Sequence, residues 1–301
     1  MRIGISICSS YTVDDPREGA RYMVERARAA RQADLDTLFV GDHHVTRSPY
    51  FQNVPILGRM LAEWGDKPAG ALFLLPLWNP VLLAEQIGTL ASIAQGPFIM
   101  QCGLGDDHQG VSMGNEPKQR AALFEAAMEV MRTLWRGEEA TEKRYWSIQR
   151  ARISPLPPEP VEVWVGAMAV PAINRTARLA EGWLASPGYT MAQAREGLNT
   201  YRQACVEHGR TPSAVAIRRD IFVGATSAQA KKVVEPYIQR GYRGISADAL
   251  MYGCVTEVAE QLAAFEELGF TDVIVRNLSA DQSESLATIE RLAAVKAELA
   301  G

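Results

Sequence analysis

The chain alternates short apolar runs with longer amphipathic segments from end to end, and that rhythm restricts the fold more than any other feature. Residues 2–8, 37–40, 69–75, 98–103, 161–165, 182–185, 215–223 and 272–276 read as strands. Each is followed by a segment of helical spacing: 17–33, 53–64, 80–94, 118–135, 171–180, 191–208, 227–240 and 283–299. Brief, continuously apolar strands alternating with helices indicate a parallel sheet covered on both faces. Eight strand-helix pairs make the inventory of a closed (β/α)8 TIM barrel of the α/β class. Such a barrel takes the 301 residues as one domain, 1–301. An open doubly wound sheet would need a glycine-rich dinucleotide turn after its first strand, and Ser9-Ser-Tyr-Thr12 is not one.

Two segments interrupt the rhythm. Pro155-Leu-Pro-Pro-Glu-Pro160 would be a boundary in a two-domain chain, but the alternation resumes beyond it. Residues 241–253 and an extra helix at 256–268 form an insertion before the last βα unit. The insertion carries Tyr242, Leu250, Met251 and Tyr252 between glycines, which suits either a lid over a barrel mouth or an ordinary surface loop.

Composition bounds the function classes. A 47% hydrophobic content supports a large core, and a formal net charge of -4 leaves no basic footprint for nucleic acid. Cys8, Cys102, Cys205 and Cys254 are widely spaced with no Cys-x-x-Cys, as expected of reduced thiols in a cytoplasmic protein. The first apolar run is too short for a signal sequence, and none approaches the ~20 residues of a membrane span. A membrane partner is not expected.

Catalytic side chains in a barrel of this kind gather where the strands end. The second strand ends in Gly41-Asp-His-His44, which contains half of the four histidines in the chain. Imidazole exchanges protons near neutral pH, so His43 and His44, with Asp42, are candidates for catalysis; the alternative is a histidine that satisfies a buried carbonyl. Gly103 and Gly105 end the fourth strand where a flat ring can lie against backbone. Asp106, Asp107 and His108 could ligate a metal but read better as cap and turn residues. In Val163-Trp-Val-Gly-Ala-Met-Ala-Val-Pro171 a strand passes through glycine into a helix, and free amides at such a start attract phosphate. Arg120 could add the forked donors that phosphate prefers.

Four segments together resemble the bacterial luciferase-like flavin-dependent oxidoreductases and monooxygenases: 38–46, 74–105, 120–137 and 163–184, with Asp272-Val-Ile-Val-Arg276 similar to the last strand of that family. The resemblance implies a (β/α)8 barrel that holds reduced FMN, or the deazaflavin F420 in one branch, at the carboxyl ends of the strands. It implies that His43 lies beside the reactive edge of the cofactor with His44 as its neighbour. It implies a phosphate site at Arg120, Gly166, Ala167, Met168 and Ala169, a cis peptide near Ala71, Leu72 and Phe73, and Gly103 and Gly105 under the ring. Asp42 stands where many members have Glu, and Leu104 where the luciferases have a phosphate-binding arginine, so light emission is not implied.

The function expected is oxygenation of a small organic substrate with O2 and reduced FMN from a separate reductase. Hydride transfer with F420 is the alternative in the same barrel. A metal-dependent hydrolase using His43, His44, Asp106 and His108 is a weaker one, because adjacent residues on a strand point to opposite faces. A flavin-binding protein without turnover is a further possibility. The resemblance also implies a homodimer through the early helices.

Overall fold

The computed structural model describes residues 1–116 and 118–301 in full. In chain order the elements are β1 (Arg2–Ile7), α1 (Pro16–Gln32), β2 (Thr37–Val40), α2 (Asn53–Trp64), β3 (Ala69–Leu74), α3 (Pro80–Ile93), β4 (Phe98–Gly103), α4 (Asp107–Ser112) and α5 (Arg120–Trp135). They continue with β5 (Ala140–Glu142), β6 (Ile148–Ala151), β7 (Glu162–Gly166), α6 (Val170–Leu179), β8 (Gly182–Ala185), α7 (Met191–Glu207), β9 (Ala214–Val223) and α8 (Ser227–Gln239). The last are β10 (Met251–Gly253), α9 (Val255–Leu268), β11 (Asp272–Asn277) and α10 (Gln282–Ala300).

Eight strands close a parallel barrel in the order β1-β2-β3-β4-β7-β8-β9-β11, with β11 returning to β1. The proline-rich segment is no boundary: β4 pairs directly with β7, Ile99 opposite Glu162, and the chain between them makes only α5 and the hairpin β5–β6. In the insertion, β10 adds to the far end of β9, Met251 opposite Ile221. Leu250 there packs with Phe222, Val234 and Leu278, so the insertion is anchored in its own small core.

Strand alternation divides the side chains into two sets. Outward residues such as Leu38, Val40, Ala71 and Phe73 join the main core under the helices. Inward residues Phe39, Ile99, Trp164, Ala214, Ala216 and Ile274 form a separate cluster that plugs the barrel floor, with the Phe39 and Trp164 rings 5.6 Å apart. Close strand packing at this depth leaves no room for Cβ at Gly70, where one would sit 1.8 Å from the Ile99 carbonyl oxygen. Above the floor the inward positions carry small or charged groups, and the barrel opens.

Candidate active site

The opening is a cavity of about 450 Å³ at the carboxyl ends of the strands, within the range of small-molecule sites. Its lining includes Ser6 from β1, Gly41 after β2, Leu72 and Leu74 from β3, Gln101 and Gly103 from β4, Gly166 from β7, and Arg218 from β9. Gly105, Ala167, Met168 and Ala169 complete the wall beside β4 and β7. The turns after β2, β4 and β7, far apart in sequence, therefore share one mouth.

The expected run Ala71, Leu72 and Phe73 divides. Leu72 faces the cavity, whereas Ala71 and Phe73 are fully buried on the outer face of β3, because consecutive strand residues point oppositely. The cis peptide expected there is absent: β3 pairs with β4 in unbroken register from Ala69 to Leu74, and the cis bond among the described residues is Ser154–Pro155.

The wall beside β4 and β7 is shaped for close approach. A Cβ on Gly103 would meet its nearest atom at 3.8 Å, and one on Gly166 at 3.5 Å, so protein packing alone does not demand glycine at either position. What those Cβ atoms would fill is the cavity itself. Gly105 does need glycine, with φ of 69°. Beyond Gly166 the carbonyls of Ala167 and Met168 accept hydrogen bonds from Trp183 Nε1 (2.9 Å) and the Tyr189 hydroxyl (3.1 Å). The amides of Met168, Ala169 and Val170 have no acceptor among the described residues, and the start of α6 lacks a side-chain cap. A glycine cradle ending in free amides and a helix start fits a flat ring with a phosphate-bearing chain. Arg120 reaches the rim of this wall, donating to the Gly105 carbonyl at 2.6 Å and pairing with Asp107 at 2.7 Å.

Beyond the end of β2 at Val40, Gly41 lines the cavity, while Asp42 and His44 turn together toward Trp78. Asp42 is buried behind the wall, and its Oδ2 accepts from the Leu74 amide (2.8 Å) and Trp78 Nε1 (2.9 Å). His44 Nε2 lies 3.0 Å from Asp42 Oδ1, outside the alignment of a hydrogen bond. Its ring packs edge-on against Trp78, and its backbone N–H donates to Gln109 Oε1 at 2.8 Å. Gln109 is held by Asp106, the cap of α4; the Gln109 N–H bond helps hold the Asp106 carboxyl below the usual range. Asp42 and His44 thus form a clamp fixing the β2 and β3 termini, and Asp42 contacts His44 rather than His43.

His43 is half-buried, its ring centroid 5.6 Å from that of Tyr50. The Tyr50 hydroxyl lies over Gly41, where a Cβ would come within 2.7 Å of it. Burial pushes this hydroxyl up to about 12, so it stays protonated at neutral pH. Among the described residues no three His, Cys, Asp or Glu side chains form a metal-binding group, and Asp106 serves as a helix cap. No helix among them is long and apolar enough to cross a membrane.

Sequence reasoning missed Gln109, Asn53, whose Nδ2 donates to the Leu72 carbonyl at 2.7 Å, and the inward charges Arg218 and Asp220 of β9. The last two were legible as charges in phase with Ala214 and Ala216 in an otherwise apolar strand.

Comparison with known proteins bears on both chemistries expected of such a mouth. The chain is 24% identical over 307 residues to an F420-dependent glucose-6-phosphate dehydrogenase of Intrasporangium calvum, covering 89% of this chain and 92% of that protein. Its match to the enzyme of that name from Nakamurella multipartita is 26% identical and spans 59% of this chain and 56% of the relative. Among solved structures, an F420-dependent secondary alcohol dehydrogenase in complex with an F420-acetone adduct superposes with a TM-score of 0.82 at 16% identity, over 99% of this chain and 98% of that one. The oxygenating constituent of 3,6-diketocamphane monooxygenase of Pseudomonas putida, in complex with FMN, superposes with a TM-score of 0.81 at 17% identity, over 97% and 96%. These two show the shared barrel. Residues 1–250 match the family described as luciferase-like monooxygenase, and the chain belongs to that family of oxidoreductases.

Proposed function

We propose that this protein is an F420-dependent oxidoreductase that transfers hydride between the deazaflavin and a small organic substrate. The observation that carries the reading is a single cavity lined both by the Gly103–Gly166 cradle and by the charged Arg218 of β9. An oxygen-using flavin site needs a dry pocket. A pocket lined by a guanidinium holds water, whereas hydride transfer to a polar guest tolerates it. The similarity to F420-dependent dehydrogenases over most of the chain supports the same choice.

When bound, the deazaflavin supplies the two-electron hydride chemistry. Gly103 and Gly166 would admit it, and the amides after Gly166 would hold its phosphate, with Arg120 at the rim. His43 would exchange the proton at the substrate oxygen, with Tyr50 packed beside it. Asp42, His44 and Gln109 hold the strand end that carries His43.

Reduced FMN with O2 is the second reading, favoured by the FMN-bound oxygenating constituent of the same fold; only this reading calls for a reductase partner. Anaerobic titration with F420 and with FMN, each oxidised and reduced, followed by admission of air, separates them. Micromolar binding of F420 without oxygen consumption is expected. Tight binding of reduced FMN alone, with oxygen uptake on aeration, would overturn the proposal.

A further inference from the structure

The β9 side of the mouth holds an unusual charge arrangement. Asp220, inward on β9 with its side chain wholly buried, is approached by Arg218 Nε (3.1 Å), Arg243 Nη1 (3.2 Å) and Arg276 Nη1 (3.5 Å). The Tyr242 hydroxyl also donates to it, at 2.9 Å. Arg276 Nη2 reaches Cys8 Sγ at 3.1 Å. Burial pushes the Cys8 thiol up, but the Arg276 guanidinium and a backbone hydrogen bond at Ser10 outweigh it and leave the thiol below its ordinary value.

Three guanidiniums share one carboxylate, so a positive charge remains even with Cys8 as thiolate. Arg218 uses only Nε on Asp220. Its two terminal nitrogens have no acceptor among the described residues, and the side chain lines the cavity. Surplus charge in so confined a place is costly until an anion joins it. A guanidinium held by its Nε with both terminal nitrogens free is set to grip an oxyanion in two-point fashion.

We propose that Arg218, Arg243 and Arg276, organised by Asp220, form an anion subsite that receives a carboxylate or phosphate group of the substrate. The subsite lies on the β9, β11 and β1 side of the mouth, with β8 alone between β9 and the cradle strand β7. Its assignment to substrate, rather than to the anionic chain of the cofactor, rests on the function proposed above. Asp220 is a positioning residue: it aligns the arginines and does not meet the guest.

Cys8, in contact with Arg276, supplies an assay that needs no cofactor and no known substrate. Alkylation of Cys8 by iodoacetate, which carries a carboxylate, is compared with alkylation by neutral iodoacetamide, each rate normalised to β-mercaptoethanol and read by peptide mass mapping. The normalised iodoacetate-to-iodoacetamide ratio at Cys8 is expected to exceed unity by about tenfold and to fall toward unity in Arg243→Gln and Arg218→Gln. Millimolar inorganic phosphate is expected to protect Cys8 from iodoacetamide while leaving Cys254, the other partly accessible cysteine, unprotected. Arg243 is 45% exposed, so its variant keeps the fold, which circular dichroism checks. A ratio near one in the unmodified chain, or no protection by phosphate, overturns the subsite. Failure here leaves the cofactor reading standing, and failure of the F420 titration leaves this result interpretable.

Discussion

Replacing Asp42 by alanine distinguishes a carboxylate that positions strands from one that takes part in proton transfer. The substitution removes the shared acceptor of the Leu74 amide and Trp78 Nε1 and the charge beside His44. Hydrogen bonds to a charged group contribute about 1.5–3 kcal/mol each, and a buried donor left unpaired costs about 1–3 kcal/mol. Part of that loss is offset because a buried carboxylate no longer has to be desolvated, which leaves a net destabilisation of about 3 kcal/mol. A chain of 301 residues has an unfolding entropy of about 0.6 kcal/mol per kelvin near its midpoint, so Tm should fall by about 5 °C. Asp42→Asn retains an oxygen for both donors and turns its amide nitrogen toward His44 Nε2. It should lower Tm by less than about 2 °C and keep most of the turnover. Differential scanning calorimetry with steady-state rates on the same samples makes the test. If both variants melt like the parent and both abolish turnover, the carboxylate acts chemically and the positioning argument is wrong.

Further outcomes follow from other contacts. His43→Ala should keep the fold and cofactor affinity while kcat falls by about 10²–10⁴-fold; an unchanged kcat would remove it from the mechanism. Gly166→Ala and Gly103→Ala should fold normally, since their Cβ atoms meet protein only at 3.5 and 3.8 Å, yet weaken cofactor binding by about tenfold or more, measured by fluorescence titration. Trp164→Ala empties the floor plug and should cost about 3–5 kcal/mol in denaturant unfolding. The rate of Cys8 alkylation by iodoacetamide should reach half its maximum below the pH at which an ordinary cysteine does, because Arg276 favours the thiolate, and Arg276→Gln should move that midpoint upward.

The barrel was legible because parallel strands buried on both faces are written as continuous apolar runs, and the helices between them keep their own period. The pieces that escaped notice lack such a run. The hairpin β5–β6 is made of three- and four-residue strands carrying Glu142 and Arg150, and β10 has three residues. The glycine cradle and the α6 start were readable as strands stopping at glycine. The clamp of Asp42 and His44 was not readable, because β2 ends at Val40 and no strand period carries through these residues. It depends on Gln109 and Trp78, which only the folded chain brings to the β2 terminus. The inward charges of β9 escaped because Arg218-Arg219-Asp220 mixes both faces. Arg219 turns outward, its guanidinium 4.5 Å over the Phe265 ring and bonded to the Pro187 carbonyl.

β9 runs for ten residues where β8 has four. Its first half is fixed by Ala214 and Ala216 in the floor, and its last residues carry β10 beyond the rim. One continuous rod therefore joins the immobile base of the barrel to the excursion that delivers Tyr242 and Arg243. Changes in the length or composition of that excursion can retune which guest is accepted without disturbing barrel closure or the cradle strands β4 and β7, so selectivity in this scaffold can evolve independently of its redox half.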